Sequence, residues 1–479
     1  MRIVIIGNGV AGMEAALGVR GREPTWDVTL VSEESDHFFS RTALMWVHTG
    51  QLSHRCIEPY DRDLYERMGF TRVRARAVGI DVEARAVILA GGLAPLPFDQ
   101  LLVASGSRPR PGPWPGSDLR GVGHFVTHQD LAWLEREVWG GPSRGGPAPR
   151  ADAHLEATDD TSPYRARPDG FAARGGPPRH PLVIGGGLIG IEAVEVLVAA
   201  GLRPRFSIRE EWFWPIALDE AEAGWITERL KEHGVDVVLG EDVQSLEGDG
   251  ALERVVSDQG THPADLCVVA IGVIPNTEWI GDALERDARG GVVVDAGLAT
   301  SVDGIFAAGD CASVRWYHGA RMPEQLWYTA RDQGRAAARR LCGDANEYAR
   351  GLWYNSAKLM DIEYTTAGLV SMNVEGERNW SYEERGAVRS TLRVVLHEDR
   401  VIGFNALGRR WDHAVWLRWI EEQRSLDYAL RNLPEASFDT ELVPPLRIPD
   451  DARRAAPGPA APSVIADAMP APTLEGRVR

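Results

Sequence analysis

Short runs of consecutive apolar residues, each closed by a glycine-rich turn and an apolar helical stretch, recur along the chain. Arg2 to Ile6 (RIVII) has no polar alternation, the pattern of a strand buried on both faces of a parallel sheet. The turn Gly7-Asn8-Gly9-Val10-Ala11-Gly12 follows, then Met13 to Val19 as the opening of a helix and Asp27 to Ser32 as a second strand. The same succession returns 178 residues later. Pro181 to Ile184 predicts a strand, Gly185, Gly187 and Gly190 a turn, a helix runs from Ile191, and Arg205 to Ile208 predicts the next strand. Further on, Asp303 to Ala312 (DGIFAAGDCA) predicts a short buried strand ending at Gly309-Asp310, where a helix is expected to begin. Leu392 to Leu407 predicts a hairpin with Glu398-Asp399 at its turn. Trp411 to Leu426 predicts a helix with Trp411, Val415, Trp419 and Ile420 on one face, packed against the first of the repeated units. Two stretches lose the pattern: Gly140 to Arg179, dense in Gly, Pro, Arg and Asp, and the Pro/Ala-rich Ile448 to Arg479. Neither carries enough apolar surface to offset its ordering entropy, so a disordered linker or insertion (140–180) and a disordered tail (447–479) are expected.

The glycines of the doubled stretch answer steric needs. The first (Gly7, Gly185) permits a tight turn, the second (Gly9, Gly187) lets a diphosphate approach the backbone, and the third (Gly12, Gly190) lets helix and strand pack closely. A diphosphate then rests on the helix N-terminus, where free N–H groups and the helix dipole favour negative charge. The strand Asp27 to Ser32 ends in Glu33-Glu34, about 20 residues past the last glycine, where a ribose-binding carboxylate is expected. The strand Arg205 to Ile208 ends in Arg209-Glu210: Glu210 suits the 2'-hydroxyl of NAD and Arg209 the 2'-phosphate of NADP, and the sequence leaves both open. The repeat extends to an A-x-G-x-x-P frame in each copy, LVASGSRP with Ala104 and Gly106 and VVAIGVIP with Gly272. Two dinucleotide-binding units in one chain suggest electron transfer between two nucleotides. Asp310 can accept hydrogen bonds from a polyol, which suits the ribityl chain of a flavin.

Bulk properties narrow the partners. The chain has 479 residues, 44% hydrophobic and 25% charged, and two or three domains are expected at that length. A formal charge of -17 argues against nucleic acid or an anionic membrane surface. Met1 leads directly into a strand-like segment and no apolar run reaches spanning length, so no signal peptide and no transmembrane segment are expected and the expected location is cytoplasmic. Cys56, Cys267, Cys311 and Cys342 are widely spaced without a CxxC pair, which suggests neither a disulfide framework nor a metal site.

In its order of motifs, GxGxxG, A-x-G-x-x-P, GxGxxGxE, A-x-G-x-x-P, then FAAGD, the chain resembles the FAD-dependent pyridine nucleotide-disulfide oxidoreductase superfamily over residues 1 to about 345. The resemblance implies an α/β fold with two Rossmann-like dinucleotide-binding domains, the FAD domain (1–139 and 296–345) interrupted by an NAD(P)H domain (181–295). A small α+β interface domain (346–446) follows. It further implies FAD at Gly7, Gly9, Gly12, Glu34 and Asp310, and NAD(P)H at Gly185, Gly187 and Gly190. The family's disulfide reductases carry a CxxxxC pair where this chain has HFFSRTALMW (His37 to Trp46), so a dithiol relay is not expected. The stretch is closer to the ferredoxin, rubredoxin and nitrite reductase flavoprotein branch, with Arg41 retained and Trp46 where that branch has a lysine. That lysine pairs with the Glu of GxGxxGxE, here Glu192, beside the flavin and the nicotinamide; with Trp46 in its place, Glu192 either pairs with Arg41 or stays less neutralised. Glu324, Gln325 and Trp327 resemble the segment lining the flavin ring. The implied protein is an NAD(P)H-dependent FAD oxidoreductase handing electrons to a small electron-carrier protein, a quinone or another small molecule, with a homodimer as one possible assembly. A flavin-binding sensor or scaffold without turnover is the alternative, disfavoured because both nucleotide loops are intact.

Overall fold

A computed structural model describes residues 1–139, 178–316, 321–370, 376–385, 389–438 and 443–459. The insertion expected at 140–180 lies almost wholly outside them. Arg2–Ile6 is the central strand of a five-stranded parallel sheet, and Ile3, Val4, Ile5 and Ile6 are all buried, as an uninterrupted apolar run requires. Asp27–Ser32 and Gln100–Val103 flank it, and Phe70–Arg74 and Ile305–Ala307 form the edges. Helix α1 (Val10–Arg22) crosses between the first two strands, and the short α2 (Leu44–His48) and α3 (Leu64–Arg67) follow.

The chain then crosses earlier than the boundary at 139 anticipates. Val122–Gly123 pairs in parallel with Leu266–Val269 at the edge of a second five-stranded sheet, and α4 (His128–Trp139) buries Leu131, Leu134 and Val138 in the core of that second unit. A two-residue strand carries no periodic signal, which is why the crossing is invisible in the sequence. The second sheet repeats the first: Pro181–Ile184 is central, flanked by Arg205–Ile208 and Leu266–Val269, with Asp236–Leu239 on the outside. Its helices are α5 (Leu188–Ala199), which starts three residues before the expected Ile191, and α6 (Glu220–Glu232). The first sheet thus takes Ile305–Ala307 from chain beyond the second unit, and the second sheet takes Val122–Gly123 from chain ahead of residue 140.

The two A-x-G-x-x-P frames meet. Ser107–Pro109 and Val273–Pro275 pair antiparallel, closed by Arg110 N–H to Gly272 O and Asn276 N–H to Gly106 O. At Gly309-Asp310 no helix begins: after the turn the chain continues as the strand Ala312–Arg315, and α7 (Trp327–Leu341) starts only at Trp327. Gly309, at φ +81°, donates its N–H to Gln333 Oε1 on α7 and so makes a reversal, not a helix start. Helices α1 and α7 approach closely through small residues: a Cβ on Gly334 would lie 2.4 Å from the Ala11 carbonyl, and one on Gly18 2.5 Å from Ala338.

The third domain is a six-stranded antiparallel sheet, ordered Tyr354–Leu359, Ile362–Gly368, Arg400–Leu407, Ser390–His397, Glu377–Glu384, Gly458–Pro459. The hairpin turn falls at Glu398-Asp399, both at positive φ. The helix expected from Trp411 to Leu426 is two: α8 (His413–Glu421), capped by Asp412, and α9 (Leu426–Arg431), capped by Ser425, with Gln423 at φ +53° between them. Trp411 is buried but outside the helix, and Val415 is only partly buried. Trp416, which the expected face omitted, is fully buried and stacks on Phe404 at 4.3 Å. That face packs on the domain's own sheet instead of the FAD domain. The stretch expected as a disordered tail is ordered at its start: Ile448 is buried, Trp380 Nε1 donates to Ala452 O from the one-turn α10 (Asp450–Arg453), and Gly458–Pro459 adds a strand, while 460–479 lie outside the described residues. Isolated anchors such as Ile448 have no period to betray them.

The third domain is fastened to the second unit by a buried network. Arg393, on Ser390–His397, pairs with Glu222 on α6 at 2.9 Å, Asn405 donates to the same carboxylate at 2.9 Å, and Arg393 also donates to Ala217 O. Side-chain exposures of 2% and 4% mean that losing Arg393 strands the Glu222 charge, whereas Arg393 also lies 3.4 Å from Asp219. Arg393→Met is therefore expected to cost about 3–5 kcal/mol of stability, and Arg393→Met with Glu222→Met to recover much of that loss. Thermal and urea unfolding of the three variants would check this; additive losses would contradict it.

Candidate functional site

Both glycine loops are shaped by their own backbone contacts. Gly7 and Gly185 have φ of +107° and +117°, and a Cβ would fall 2.1 Å from Ala104 O and 2.4 Å from Ala270 O. A Cβ on Gly12 would lie 2.0 Å from Gly7 O, and on Gly190 2.0 Å from Gly185 O. Gly9 and Gly187 are different, since a Cβ there meets nothing within 4 Å. Each is the N-cap of its helix, α1 or α5, and supplies no side-chain acceptor. An open concavity lined by uncapped N–H groups is what a dinucleotide diphosphate fits. Gly106 and Gly272 carry positive φ with open space as well, while the Ala11 side chain is packed against Gly309.

Of the two acids after Asp27–Ser32, Glu34 faces inward and Glu33 is exposed beside Arg76. Glu34 is not held by bulk water alone: Arg41 forms a double hydrogen bond to it, at 2.9 and 2.5 Å, and the His128 N–H donates at 3.0 Å. Burial opposes ionisation of Glu34, but the Arg41 charge and these donors outweigh it and hold the carboxyl below its ordinary range. Arg41 also donates to Val126 O at 2.7 Å and so ties the first unit to the segment entering the second. Across the sheet end, Ser107 Oγ donates to Asp310 at 2.7 Å. Burial raises the Asp310 carboxyl, with Ser107 and Arg41 opposing. Ser107 sits inside the A-x-G-x-x-P frame, and that position carried no separate sign of its contact with Asp310.

Arg41 is thus committed to Glu34 on the first unit, and Glu192 does not pair with it. Glu192, near the start of α5, makes no hydrogen bond or ion pair among the described residues. Burial, then the neighbouring Glu195, pushes its carboxyl up to about 7. Trp46, on α2, packs into the second unit's core, where Lys358 from the third domain stands 4.8 Å from its ring centre. Sequence reasoning passed over both Lys358 and Glu195. Glu324 is turned away into a buried double ion pair with Arg350, whose Nε lies 2.6 Å from Oε2, so of the segment before α7 Gln325 is the exposed member. Trp327 opens α7 with a buried indole N–H that has no partner, and Arg331 stacks over its ring. Arg209 is 76% exposed and Glu210 27%, joined by a 3.3 Å ion pair.

The four cysteines are free. Cys267 and Cys311 are buried and burial raises both thiols, whereas Cys56 is exposed and hydrogen bonds from Ser53 lower it. Among the described residues no group of His, Cys, Asp and Glu could hold a metal ion, and no helix is long and apolar enough to cross a membrane.

The chain is 28% identical over 428 residues to the ferredoxin–NAD(+) reductase component of the p-cumate 2,3-dioxygenase system of Pseudomonas putida, covering 89% of this chain and 94% of that protein. Among solved structures it is similar to the ferredoxin reductase for the CYP199A2 system of Rhodopseudomonas palustris (TM-score 0.69, 25% identity, 85% of this chain and 91% of that one). It shares its fold with an NAD-dependent persulfide reductase from A. fulgidus (TM-score 0.75, 21% identity, 90% and 79%). The model of the pyridine nucleotide-disulphide oxidoreductase family matches residues 1–334, and the chain belongs to that family as an NAD(P)H-dependent oxidoreductase with FAD and NAD(P)H as its cofactors.

Proposed function

We propose that this protein is a reductase for a small iron–sulfur carrier protein, using NADH and no thiol relay. The observation that carries the reading is α2: at the place where a dithiol would stand, the chain puts Leu44, Met45, Trp46, Val47 and His48, and of its four cysteines two are sealed in the core. Electrons arriving from the nicotinamide therefore have no disulfide to enter. The ferredoxin reductase relatives, matched along nearly their whole length, favour a protein acceptor over a small molecule. FAD supplies the hydride-accepting ring and the means to pass electrons on, while the polypeptide binds, orients and tunes.

In this reading the N–H groups behind Gly9 and Gly187 hold the two diphosphates. Glu34, fixed by Arg41, accepts the adenosine ribose hydroxyls of FAD, and Asp310 with Ser107 takes the ribityl chain. Gln325 and Trp327 border the flavin ring. The lower exposure of Glu210 supports it over Arg209 as the ribose acceptor on the NAD side.

Three outcomes test this. Under anaerobic conditions NADH should bleach the flavin absorbance, and an added ferredoxin-type protein should be reduced faster than a quinone; no response to any iron–sulfur carrier would remove the proposed acceptor. Replacing Cys56 and Cys342 by Ser, and Cys267 and Cys311 by Ala, should leave NADH-dependent flavin reduction largely unchanged in FAD-loaded protein. Loss of that step alone would reinstate a thiol. Glu210→Ala should lower the preference for NADH over NADPH by about 1.5–3 kcal/mol, roughly 10- to 150-fold in the ratio of kcat/KM values, while Arg209→Ala should not. The opposite result would make NADPH the donor.

A further inference from the structure

Of 52 basic residues only two are lysines, Lys231 and Lys358. Lys358 lies on the strand Tyr354–Leu359 of the third domain and crosses to the second unit, where its ammonium pairs with Glu195 on α5 and covers the Trp46 ring of α2 at 4.8 Å. Three parts of the chain distant in sequence thus converge on one cation. Glu195 stands three residues after Glu192, so the two carboxylates are neighbours on one face of α5. The second oxygen of Glu195 is buried without a hydrogen-bond partner. Two acids share one positive charge, and the one nearer the glycine loop, Glu192, has no direct partner among the described residues.

We propose that Lys358 is a positioning residue for the nicotinamide side of the site: held over Trp46 and against Glu195, it supplies the positive charge that favours the carboxylate form of Glu192 one turn away on α5. Its functional meaning rests on the reading of α5 as the nicotinamide-binding helix. The other groups around α5 leave this role to Lys358. Burial and then Glu195 make Glu192 harder to ionise, and Lys358 is the group that opposes them. Around Glu195, burial raises its carboxyl, Lys358 opposes, Asp361 raises it further and His233 opposes weakly. The strand Pro181–Ile184 brings no titratable side chain and Leu266–Val269 brings only Cys267, a thiol that burial keeps protonated. Helix α2 brings His48, which burial pulls down to about 4 and so leaves uncharged.

The sign of the linkage follows. Glu192 has a folded-state value near 7 against 4.5 when unperturbed, so the stability it confers as a protonated group is lost as pH rises from about 4.5 to about 7. Without Lys358 that loss should extend to higher pH. The test measures thermal unfolding of the full-length, FAD-loaded protein between about pH 5 and pH 9, for wild type, E192Q, K358M, K358R, K358M/E192Q and K358R/E192Q. The Glu192-dependent change, taken as the difference from the E192Q partner, should have its midpoint moved up by about one pH unit in K358M and remain near wild type in K358R. An unmoved midpoint in folded K358M, or a shift in K358R as large as in K358M, would overturn the proposal. Affinity for NAD+, followed by tryptophan fluorescence over the same range, should show the same displacement. A stability midpoint that moves while NAD+ affinity does not would support the charge assignment and overturn the reading of α5 as the nicotinamide helix.

Discussion

The architecture depends on a steric exclusion repeated in each nucleotide-binding unit: the first glycine of the loop lies so close to the carbonyl of the alanine that opens the A-x-G-x-x-P frame that no side chain fits between them. At Gly7 the missing Cβ would overlap Ala104 O, and at Gly185 it would overlap Ala270 O. The contact locks the loop onto the end of the neighbouring strand, Gln100–Val103 or Leu266–Val269, and the third glycine then closes on the first. With two glycines consumed by packing, the second is the one left facing open space at an uncapped helix end. Loop and frame, separate in the sequence, are one device in space.

The same frames join the units. Once Ala104 and Ala270 are pinned, the residues after them, Ser107–Pro109 and Val273–Pro275, are free to pair antiparallel with each other. The pair ties the exit of one sheet to the exit of the other, and Ser107 within it reaches Asp310. The ion pair of Glu34 with Arg41, and the Arg41 bond to Val126 O, add a polar tie from the first unit to the segment entering the second.

The third domain closes on the second unit through ion pairs set around an apolar seam. Arg393 enters the start of α6 at Glu222, Arg229 on the same helix pairs with Asp361 at the turn between Tyr354–Leu359 and Ile362–Gly368, and Lys358 pairs with Glu195 on α5. Leu359, Met360, Ile362 and Tyr364 join the second unit's apolar core between these ties. Of the three charge pairs, Arg393–Glu222 is the most deeply buried and so the most costly to break on one side only.

What the sequence determined by itself is local: the strands Arg2–Ile6, Asp27–Ser32, Pro181–Ile184 and Arg205–Ile208, both glycine loops and the hairpin at Glu398-Asp399 follow from apolar runs and turn residues whose constraints act within a few positions. Glu34 was legible as one of two candidates because strand length and loop spacing place it. The tertiary structure decided which charges meet. Arg41 goes to Glu34 and leaves Glu192 alone, Lys358 arrives from a distant strand, and Glu324 is claimed by Arg350. It also decided that Val122–Gly123 belongs to the second sheet, that Gly309 turns into a strand, and that Ile448 docks. A long side chain's partner depends on which elements pack beside it, and a two-residue strand on an open edge waiting for it. Neither leaves a period in the sequence, so each is settled only when the whole chain is folded.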